Sequence, residues 1–408
     1  MPARSSHWKF RCVKCESEYT TEPRSFFCVR CHGLLELVLE GKPPAPEELF
    51  PREARLGVWR YVAALPLPGG QLPITLGEGG TPLVDSVNMG PELRLGGLKI
   101  KNEGQNPTGS FKDRGMTVAV SRARERGARV LLCASTGNTA ASLAAYASRA
   151  EMRSAVLVPS GKVAGGKLAQ ALVYGARVIT ISGGFDQALK AVMDLAASRD
   201  DLYLLNSVNP FRIEGQKTAA YEIFEQLGGK IPDAIVLPVG NAGNISAIWK
   251  GFKELKEWRI TSKVPRMMGV QARGAAPIAE AFAAGRMAVE AWSSPQTVAS
   301  AIRIGNPVSW MKALRAIKES KGLCLAVSDK EILRAQADLA SREGVFAEAA
   351  SASPIAALKH LRSEFSADDI VVCLATGSGL KEQHPIRESA KRKVRSGDEG
   401  GILRQILE

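Results

Sequence analysis

Residues 130–149 read VLLCASTGNTAASLAAYASR, which is a short apolar run, a glycine-containing turn and an alanine-rich helical stretch. The same alternation recurs from about Thr75 onward. We predict strands at Leu98–Lys101, Val130–Ala134, Ala155–Val158, Arg177–Ile181, Leu202–Leu205, Ala234–Leu237, Met267–Val270 and Ile370–Leu374. We predict helices between them at Ser110–Arg126, Thr139–Arg149, Gly184–Ser198, Gly215–Leu227 and Ile245–Glu257. This alternation indicates βαβ units and largely parallel sheets, so the predicted fold class is α/β.

The chain is long enough for more than one domain. It has 408 residues, of which 45% are hydrophobic and 23% are charged, as in soluble globular proteins. About 300 residues of strand–helix alternation exceed one ordinary domain, so we expect two α/β lobes with a cleft between them. The predicted organisation is a cysteine-rich unit at 1–40, a linker and extension at 41–74, a two-lobed core at 75–385 with its smaller lobe at about 110–210, and a basic tail at 386–408.

Charge and composition narrow the possible partners. The chain carries 54 Lys and Arg against 41 Asp and Glu, a net charge of +13, which suits anionic small molecules as well as nucleic acid. Aromatic residues are only 6%, so nucleic-acid binding by stacking is not expected. The N-terminus lacks an apolar leader, and no apolar run reaches the ~18 residues of a membrane span, so we expect a cytoplasmic protein without membrane association. One basic cluster is interpreted as part of a solvated tail: Lys391, Arg392, Lys393 and Arg395.

Four of the seven cysteines form two Cys-x2-Cys pairs, namely Cys12 with Cys15 and Cys28 with Cys31. Each pair can place two thiolates on one metal ion, and two pairs complete a tetrahedral shell. In a reducing cytosol this spacing predicts a zinc ribbon rather than disulfides. Four thiolates leave no open coordination position, so the zinc is expected to be structural. The remaining cysteines lie in apolar runs and are predicted to be core residues: Cys133, Cys324 and Cys373.

The segment Asn106-Pro-Thr-Gly-Ser-Phe-Lys-Asp-Arg-Gly115 places Lys112 at the start of a predicted helix. The positive end of the helix disfavours an ammonium group, so a lysine there loses its proton more easily. Such an amine can act as a nucleophile toward an aldehyde. The alternative is an ordinary solvated lysine beside Asp113.

Three further segments follow predicted strands, where α/β folds place ligand sites. Ser135-Thr-Gly-Asn138 offers N–H groups and hydroxyls to a carboxylate, or is only a helix N-cap. Gly240-Asn-Ala-Gly-Asn244 resembles a phosphate-binding nest, although it has neither the lysine of a P-loop nor the spacing of a dinucleotide fingerprint. Thr376 can offer its hydroxyl to a ring nitrogen, or belongs to a turn that ends a strand. Together with an activated lysine, these are the groups that bind a phosphorylated pyridine aldehyde and an amino acid.

In their order, these segments resemble pyridoxal-phosphate enzymes of the tryptophan-synthase-β type, and most closely the threonine synthase family. The resemblance covers about residues 75–385 and is carried by Gly79-Gly-Thr-Pro82, Glu103-Gly-Gln-Asn-Pro-Thr-Gly-Ser-Phe-Lys-Asp-Arg114, Ser135-Thr-Gly-Asn138, Gly166-Lys-Leu-Ala-Gln170, Asn209-Pro-Phe-Arg-Ile-Glu-Gly-Gln216, Gly240-Asn-Ala-Gly-Asn244 and Ala301-Ile-Arg-Ile-Gly-Asn-Pro307. It implies a two-lobed fold-type II enzyme with parallel sheets flanked by helices, plus a small N-terminal zinc ribbon. It also implies pyridoxal 5'-phosphate and structural zinc as cofactors, a small phosphorylated amino acid as substrate, and a homodimer.

The resemblance further implies the roles of individual residues. Lys112 would hold the cofactor as a Schiff base and shuttle protons at the substrate's Cα and Cβ. Asn138 would hydrogen-bond the phenolic oxygen of the ring, and Thr376 would meet the pyridine nitrogen. The cofactor phosphate would be held by Gly240, Asn241, Ala242, Gly243 and Asn244. Ser135 and Thr136 would bind the carboxylate of the substrate. The phosphate of the substrate would be bound by Asn206, Ser207 and Arg212, with Lys101 assisting. From the residues alone, Arg212 is equally a surface arginine paired with Glu214.

The implied reaction converts O-phospho-L-homoserine and water to L-threonine and phosphate. The alternatives are a β-replacement synthase acting on O-phosphoserine, a threonine or serine dehydratase without a substrate phosphate site, and a non-catalytic protein whose ribbon and tail bind nucleic acid or a partner. Three positions depart from the usual family pattern and bear on the substrate: Ser378 stands in place of His, Ala349 in place of Pro, and Met311 in place of Glu.

Overall fold

The computed structural model describes residues 8–66, 72–160 and 166–382, so the predicted basic tail at 386–408 lies outside the described residues. The strands are β1 (Trp8–Cys12), β2 (Glu18–Tyr19), β3 (Leu35–Leu39), β4 (Leu83–Asp85), β5 (Gly97–Asn102), β6 (Val130–Ala134), β7 (Arg153–Pro159), β8 (Arg177–Ile181), β9 (Leu202–Leu204), β10 (Ala234–Pro238), β11 (Arg266–Ala272), β12 (Leu323–Val327) and β13 (Ile370–Ala375). The α-helices are α1 (Pro46–Leu49), α2 (Met89–Glu92), α3 (Lys112–Glu125), α4 (Asn138–Arg149), α5 (Gly166–Val173), α6 (Phe185–Ser198), α7 (Pro210–Gln226), α8 (Gly243–Glu257), α9 (Pro277–Ala283), α10 (Trp310–Glu319), α11 (Asp329–Glu343) and α12 (Ala349–Leu361). Of these helices, none has both the length and the apolar character needed to cross a membrane.

The larger sheet has the strand order β12-β11-β10-β13-β5-β4. Its strands are parallel except β4, which pairs antiparallel with β5. Along β10 the side chains alternate between two core clusters, with Val236 in one and Ile235 and Leu237 in the other. This alternation buries both faces of the sheet, which is why β10 is a continuous apolar run.

The smaller sheet has the order β8-β7-β6-β9, and all of its pairs are parallel. Its strands fall between residues 130 and 204. The prediction of an α/β fold with two parallel-stranded lobes flanked by helices is therefore confirmed. The predicted strands Val130–Ala134 and Arg177–Ile181 match β6 and β8 residue for residue.

Helix α7 begins five residues earlier than the predicted start at Gly215, and this changes the setting of Arg212. Asn209 caps the helix by accepting a hydrogen bond from Phe211 N at 2.9 Å, and Pro210 occupies the first turn. Gly215 does not start the helix but allows close packing, because a Cβ there would lie 1.8 Å from Arg114 O. Arg212 thus lies in the first turn of a long helix packed against α3.

The N-terminal unit is a three-stranded antiparallel sheet of order β2-β1-β3. Phe10 and Cys12, two residues apart on β1, are both buried, and they belong to the same core cluster as the small sheet. This unit, residues 8–39, is called the ribbon below. It is not a separate globule, because its core continues into that of the smaller lobe.

Candidate active site

A cavity of about 260 Å³ lies where β6, β9, β10 and β13 end. Ligand sites in parallel sheets form at this carboxyl edge. All of the predicted cofactor- and substrate-binding residues except Lys101 line the cavity: Lys112, Ser135, Thr136, Asn138, Asn206, Ser207, Arg212, Gly240, Asn241, Ala242, Gly243, Asn244 and Thr376. The cavity therefore brings together segments that are far apart in the chain and that follow strands of both the larger and the smaller sheet.

Lys112 is the first residue of α3, and its Nζ lies 3.6 Å from the centroid of the Phe111 ring. The neighbouring Asp113 is fully buried, and its carboxylate accepts hydrogen bonds from Thr108 N at 2.7 Å and Thr108 Oγ1 at 2.6 Å. Burial raises the pKa of Asp113 to about 6, although these donors oppose the shift. The structure does not support the alternative of a solvated Lys112–Asp113 pair. Asp113 instead fixes the loop that leads to Lys112.

Asn138 opens α4 beside the cavity, and its amide is only half satisfied. Nδ2 donates to Glu348 Oε1 at 2.9 Å, while Oδ1 is buried and has no hydrogen-bond partner among the described residues. In the turn before it, Ser135 Oγ accepts from Gly137 N at 3.1 Å. The N-terminus of α4 carries free N–H groups and a positive dipole end, which suit an anion such as a carboxylate.

The segment from Gly240 to Asn244 joins β10 to the N-terminus of α8. Ala242 has φ +64°, a left-handed conformation that favours glycine, and the turn bends sharply there. A Cβ on Gly240 would lie 3.0 Å from Ile302 Cα, whereas one on Gly243 would meet nothing closer than 3.9 Å. The loop is thus packed on one side and open at the helix start. A helix N-terminus with free backbone N–H groups binds phosphate without further charge.

Thr376 follows β13, is 4% exposed, and has its Oγ1 2.9 Å from Ser351 Oγ. The Ser351 hydroxyl also accepts from Gly377 N at 2.8 Å. These bonds fix the Thr376 hydroxyl at the cavity wall, where it can accept or donate one further hydrogen bond. The group is neutral, so a ring nitrogen placed against it would not gain a carboxylate partner there.

Arg212 is a buried cation whose side chain is poorly satisfied. It is 2% exposed, its Nη1 donates to Leu205 O at 3.0 Å, and its Nε has no partner within the described part of the chain. No ion pair between described residues involves Arg212. Glu214, the partner that the sequence offered as an alternative, pairs with Lys217 and Lys250 instead. Burial lowers the pKa of Arg212 to about 10. A buried charge without a counter-ion is costly, so the arrangement suits an anion in the cavity.

Asn206 and Ser207 line the same part of the cavity but are engaged by the protein. The Asn206 amide accepts from Ala134 N and donates to Ala134 O, both at 2.9 Å. Ser207 Oγ accepts from Asn241 Nδ2 at 3.0 Å, and Asn241 Oδ1 accepts from Val308 N at 2.9 Å. These bonds join the end of β6 and the glycine loop to the segment that carries Arg212.

The structure does not bring Lys101 to the cavity. Its ammonium group is fully buried and pairs with Glu222, while it donates to Thr81 O at 2.6 Å and to Gln226 Oε1 at 2.8 Å. Glu222 also binds Arg114 Nη2 at 2.9 Å. Lys101 is therefore part of a buried ionic network between β5, α3 and α7, and we leave it out of the proposed substrate site.

Glu348 is a cavity residue whose role the sequence did not suggest. It is 1% exposed and immediately precedes α12, and its carboxylate accepts hydrogen bonds from Asn138 Nδ2 at 2.9 and 3.2 Å. In the sequence, this stretch stands out only because Ala349 occupies a position where the family usually has Pro. The sequence feature that could have indicated Glu348 is its position next to Ala349. Its hydrogen-bond partner Asn138, however, lies 210 residues earlier in the chain. Ser351, the partner of Thr376, lies in an alanine-rich helix that gave no signal.

The four ribbon cysteines lie together and are free thiols: Cys12, Cys15, Cys28 and Cys31. All four Sγ atoms lie within 4.8 Å of one another, with Cys12 to Cys31 at 3.4 Å and Cys15 to Cys28 at 3.6 Å. A tetrahedron with ~2.3 Å zinc–sulfur bonds has edges of ~3.8 Å, so the cluster has the size of a zinc site. Lys14 N lies 3.4 Å from Cys12 Sγ and Arg30 N lies 3.4 Å from Cys28 Sγ, where they support thiolates.

The family model described as pyridoxal-phosphate dependent enzyme matches residues 74–377. A threonine synthase of Methanocaldococcus jannaschii is 50% identical over 402 residues, covering 97% of this chain and 98% of that protein. One from Mycobacterium tuberculosis is 51% identical over 324 residues, covering 79% of this chain and 87% of that protein.

Solved structures show the same fold. The fungal L-serine ammonia-lyase of Rhizomucor miehei aligns with a TM-score of 0.66 at 22% identity, covering 79% of this chain and 100% of that chain. Maize serine racemase aligns with a TM-score of 0.65 at 21% identity, covering 77% of this chain and 92% of that chain. The fold, the cavity at the strand ends and the family match agree. The chain belongs to the family of pyridoxal-phosphate dependent enzymes.

Proposed function

We propose that this chain is a threonine synthase, a lyase that converts O-phospho-L-homoserine and water to L-threonine and phosphate. The observation that carries the proposal is Arg212, a buried cation without an ion-pair partner among the described residues, in the same cavity as Lys112. A substrate phosphate would supply the missing negative charge. Threonine synthases at about half identity over most of the chain support the same conclusion.

Pyridoxal phosphate fits the cavity. Three features suit it: the unpartnered Oδ1 of Asn138, the open N-terminus of α8, and Asn244 Nδ2, which is buried without a hydrogen-bond partner in the described residues. Lys112 would hold the aldehyde carbon, the 240–244 backbone the phosphate, Asn138 the phenolic oxygen and Thr376 the ring nitrogen. When bound, the cofactor supplies an electron-withdrawing ring that delocalises the negative charge left at Cα of an amino acid.

The chain's own residues would divide the remaining work. Lys112 is the proposed catalytic residue: its amine would remove the Cα proton and move protons at Cβ. Ser135 and Thr136 would hold the substrate carboxylate, which orients the Cα–H bond toward Lys112. Arg212, with Ser207 beside it, would hold the phosphate that leaves from Cγ, before water adds at Cβ. A planar guanidinium suits this task because it binds phosphate oxygens in pairs.

The remaining features of the proposal concern the whole protein. We infer that the four ribbon cysteines hold a structural zinc ion, since a closed four-sulfur shell leaves no position for a substrate. We also propose a cytoplasmic homodimer, organised as a zinc-ribbon-like unit at 1–40, a linker and extension at 41–74, the catalytic core at 75–385 and a basic tail at 386–408. Ser378, Ala349 and Met311 depart from the usual family pattern, and the substrate panel described next shows whether the enzyme still uses O-phospho-L-homoserine with these residues.

A substrate panel tests this function. The purified, cofactor-loaded enzyme is incubated separately with O-phospho-L-homoserine, O-phospho-L-serine, L-threonine and L-serine, and released phosphate and amino-acid products are measured. We expect phosphate and L-threonine in equal amounts from O-phospho-L-homoserine only. Turnover of phosphoserine with an added nucleophile would indicate a β-replacement synthase, and release of ammonia from threonine or serine alone would indicate a dehydratase. Either result would overturn the proposed function.

A further inference from the structure

The ribbon contacts the segment that carries Arg212. The ring of Phe10, on β1, packs edge-on against the ring of Phe211, with the centroids 6.0 Å apart. Phe10 is 4% exposed and Phe211 is 3% exposed, so this contact is inside the core. Phe211 immediately precedes Arg212 in the first turn of α7.

A second ribbon residue, Glu22, supports Phe211 indirectly, through Arg122 of α3. The Arg122 guanidinium lies 5.5 Å from the centroid of the Phe211 ring. Arg122 Nε donates to Glu22 Oε2 of the ribbon at 2.8 Å, and Glu22 Oε1 accepts from Tyr203 OH at 2.9 Å. Glu22 thus fixes the arginine that covers one side of Phe211, while Phe10 contacts the ring directly.

The ribbon is also attached to the larger lobe. Arg315 Nη2 on α10 donates to Val13 O at 3.0 Å, and Lys250 Nζ on α8 donates to Leu37 O at 2.6 Å. On the other side, Glu22 of the ribbon accepts hydrogen bonds from Arg122 on α3 and from Tyr203 on β9, which is a strand of the smaller sheet. The ribbon therefore contacts elements of both lobes.

Arg212 itself has little local support. Among the described residues its side chain makes a single hydrogen bond, from Nη1 to Leu205 O at 3.0 Å. The direction of the guanidinium thus depends on the placement of the first turn of α7, which Asn209 caps and Phe211 anchors in the core. A shift of Phe211 moves the next residue with it, and binding by a planar guanidinium is sensitive to displacements of about 1 Å.

We propose that the ribbon is a brace that positions Arg212 for phosphate binding, with Phe10 and Glu22 acting through Phe211. Phe10 and Cys12 are two residues apart on one strand and both are buried, so folding of the cysteine cluster sets the position of Phe10. The ribbon is thus a positioning element of the substrate phosphate site. This inference rests on the proposed function only in its use of Arg212 as the phosphate-binding residue.

The test measures binding of inorganic phosphate to the cofactor-loaded enzyme, together with KM and kcat for O-phospho-L-homoserine. Phe10→Ala should raise the phosphate dissociation constant and KM by about 10-fold, with a much smaller change in kcat and an unchanged cofactor absorbance spectrum. Phe10→Leu, which keeps an apolar contact, should recover part of the loss. Val29→Ala is the matched ribbon control, because Val29 is 75% exposed, and it should bind phosphate as wild type does.

A second variant and a comparison of binding with turnover distinguish failure of the brace from failure of the proposed function. Glu22→Gln leaves Phe10 in place and should weaken phosphate binding in the same direction, so it serves if Phe10→Ala does not fold. Wild-type phosphate affinity in soluble Phe10→Ala and Glu22→Gln would overturn the brace. If wild type binds phosphate but does not turn over O-phospho-L-homoserine, the proposed function fails while the brace is still measured by phosphate affinity.

Discussion

Two buried arginines of this chain have opposite surroundings. Arg114 is 1% exposed and binds Glu103 through Nε at 2.7 Å and Glu222 through Nη2 at 2.9 Å. Arg212 is 2% exposed and takes part in no ion pair between described residues. A buried charge needs a partner, so a partner within the chain indicates a structural role and a missing one indicates a ligand.

Two buried carboxylates show the same contrast. Although burial alone would raise it, Arg114 and Lys101 hold the pKa of Glu222 well below its usual range. Asp113 takes part in no ion pair within the described ranges, and burial raises its pKa to about 6. Glu222 is thus paired with two cations, whereas the hydrogen bonds to Asp113 come from neutral donors.

The largest expected effect separates the two arginines by stability. Arg114→Met leaves Glu103 and Glu222 buried without their main counter-charge and should lower the free energy of unfolding by about 3–5 kcal/mol. Arg212→Met removes an uncompensated charge and should leave the free energy of unfolding unchanged or raise it. Denaturant unfolding of the ligand-free variants measures both. Equal destabilisation by the two substitutions would contradict a structural role for Arg114 and a ligand-binding role for Arg212.

A smaller effect is expected for Lys101, which the sequence grouped with the substrate phosphate site. Lys101→Met should lower the free energy of unfolding by about 1.5–3 kcal/mol, because Glu222 loses one charged hydrogen bond but keeps Arg114. Its KM for O-phospho-L-homoserine should match that of wild type, because Lys101 does not line the cavity. A KM raised as much as by Arg212→Met would return Lys101 to the substrate site.

The smallest effect is a pH dependence of opposite sign for the two carboxylates. The pKa of Asp113 is raised from 3.8 to about 6, so its contribution to stability is present below about pH 4 and is lost as the pH rises through 6. The pKa of Glu222 is lowered from 4.5, so its contribution is present above pH 4.5 and is lost as the pH falls.

Non-titrating variants isolate these contributions. The stability difference between wild type and Asp113→Asn should fall between pH 4 and 7, whereas that between wild type and Glu222→Gln should rise with pH in the acid range. Unfolding free energies at several pH values measure both differences. Slopes of the same sign would contradict the assignment of Asp113 as the uncompensated group.

Much of the site was predictable because its residues follow strands. Ser135, Gly240 and Thr376 each come just after an apolar run, and parallel strands place such positions at one edge. The α/β fold followed from the same alternation. The zinc-site spacing was equally local, since both cysteine pairs and the link between them lie within 20 residues.

Other features depend on contacts that no local pattern reveals. Lys101 pairs with Glu222, 121 residues away, a contact that the resemblance implying a role at the phosphate does not reveal. The sequence predicts a helix start at Gly215, but the lack of a side chain there instead allows α7 to approach Arg114 O. Glu348 meets Asn138 across the cavity, and the Phe10–Phe211 contact joins residues from different units.

We propose that the substrate phosphate supplies the counter-ion that Arg212 lacks among the described residues. The most direct measurement is the dissociation constant of inorganic phosphate for the cofactor-loaded enzyme, in wild type, Arg212→Met and the control Lys101→Met. Losing a charge-assisted contact costs about 1.5–3 kcal/mol, so Arg212→Met should weaken phosphate binding by roughly 10- to 150-fold, while Lys101→Met should not. Wild-type phosphate affinity in Arg212→Met would contradict the claim.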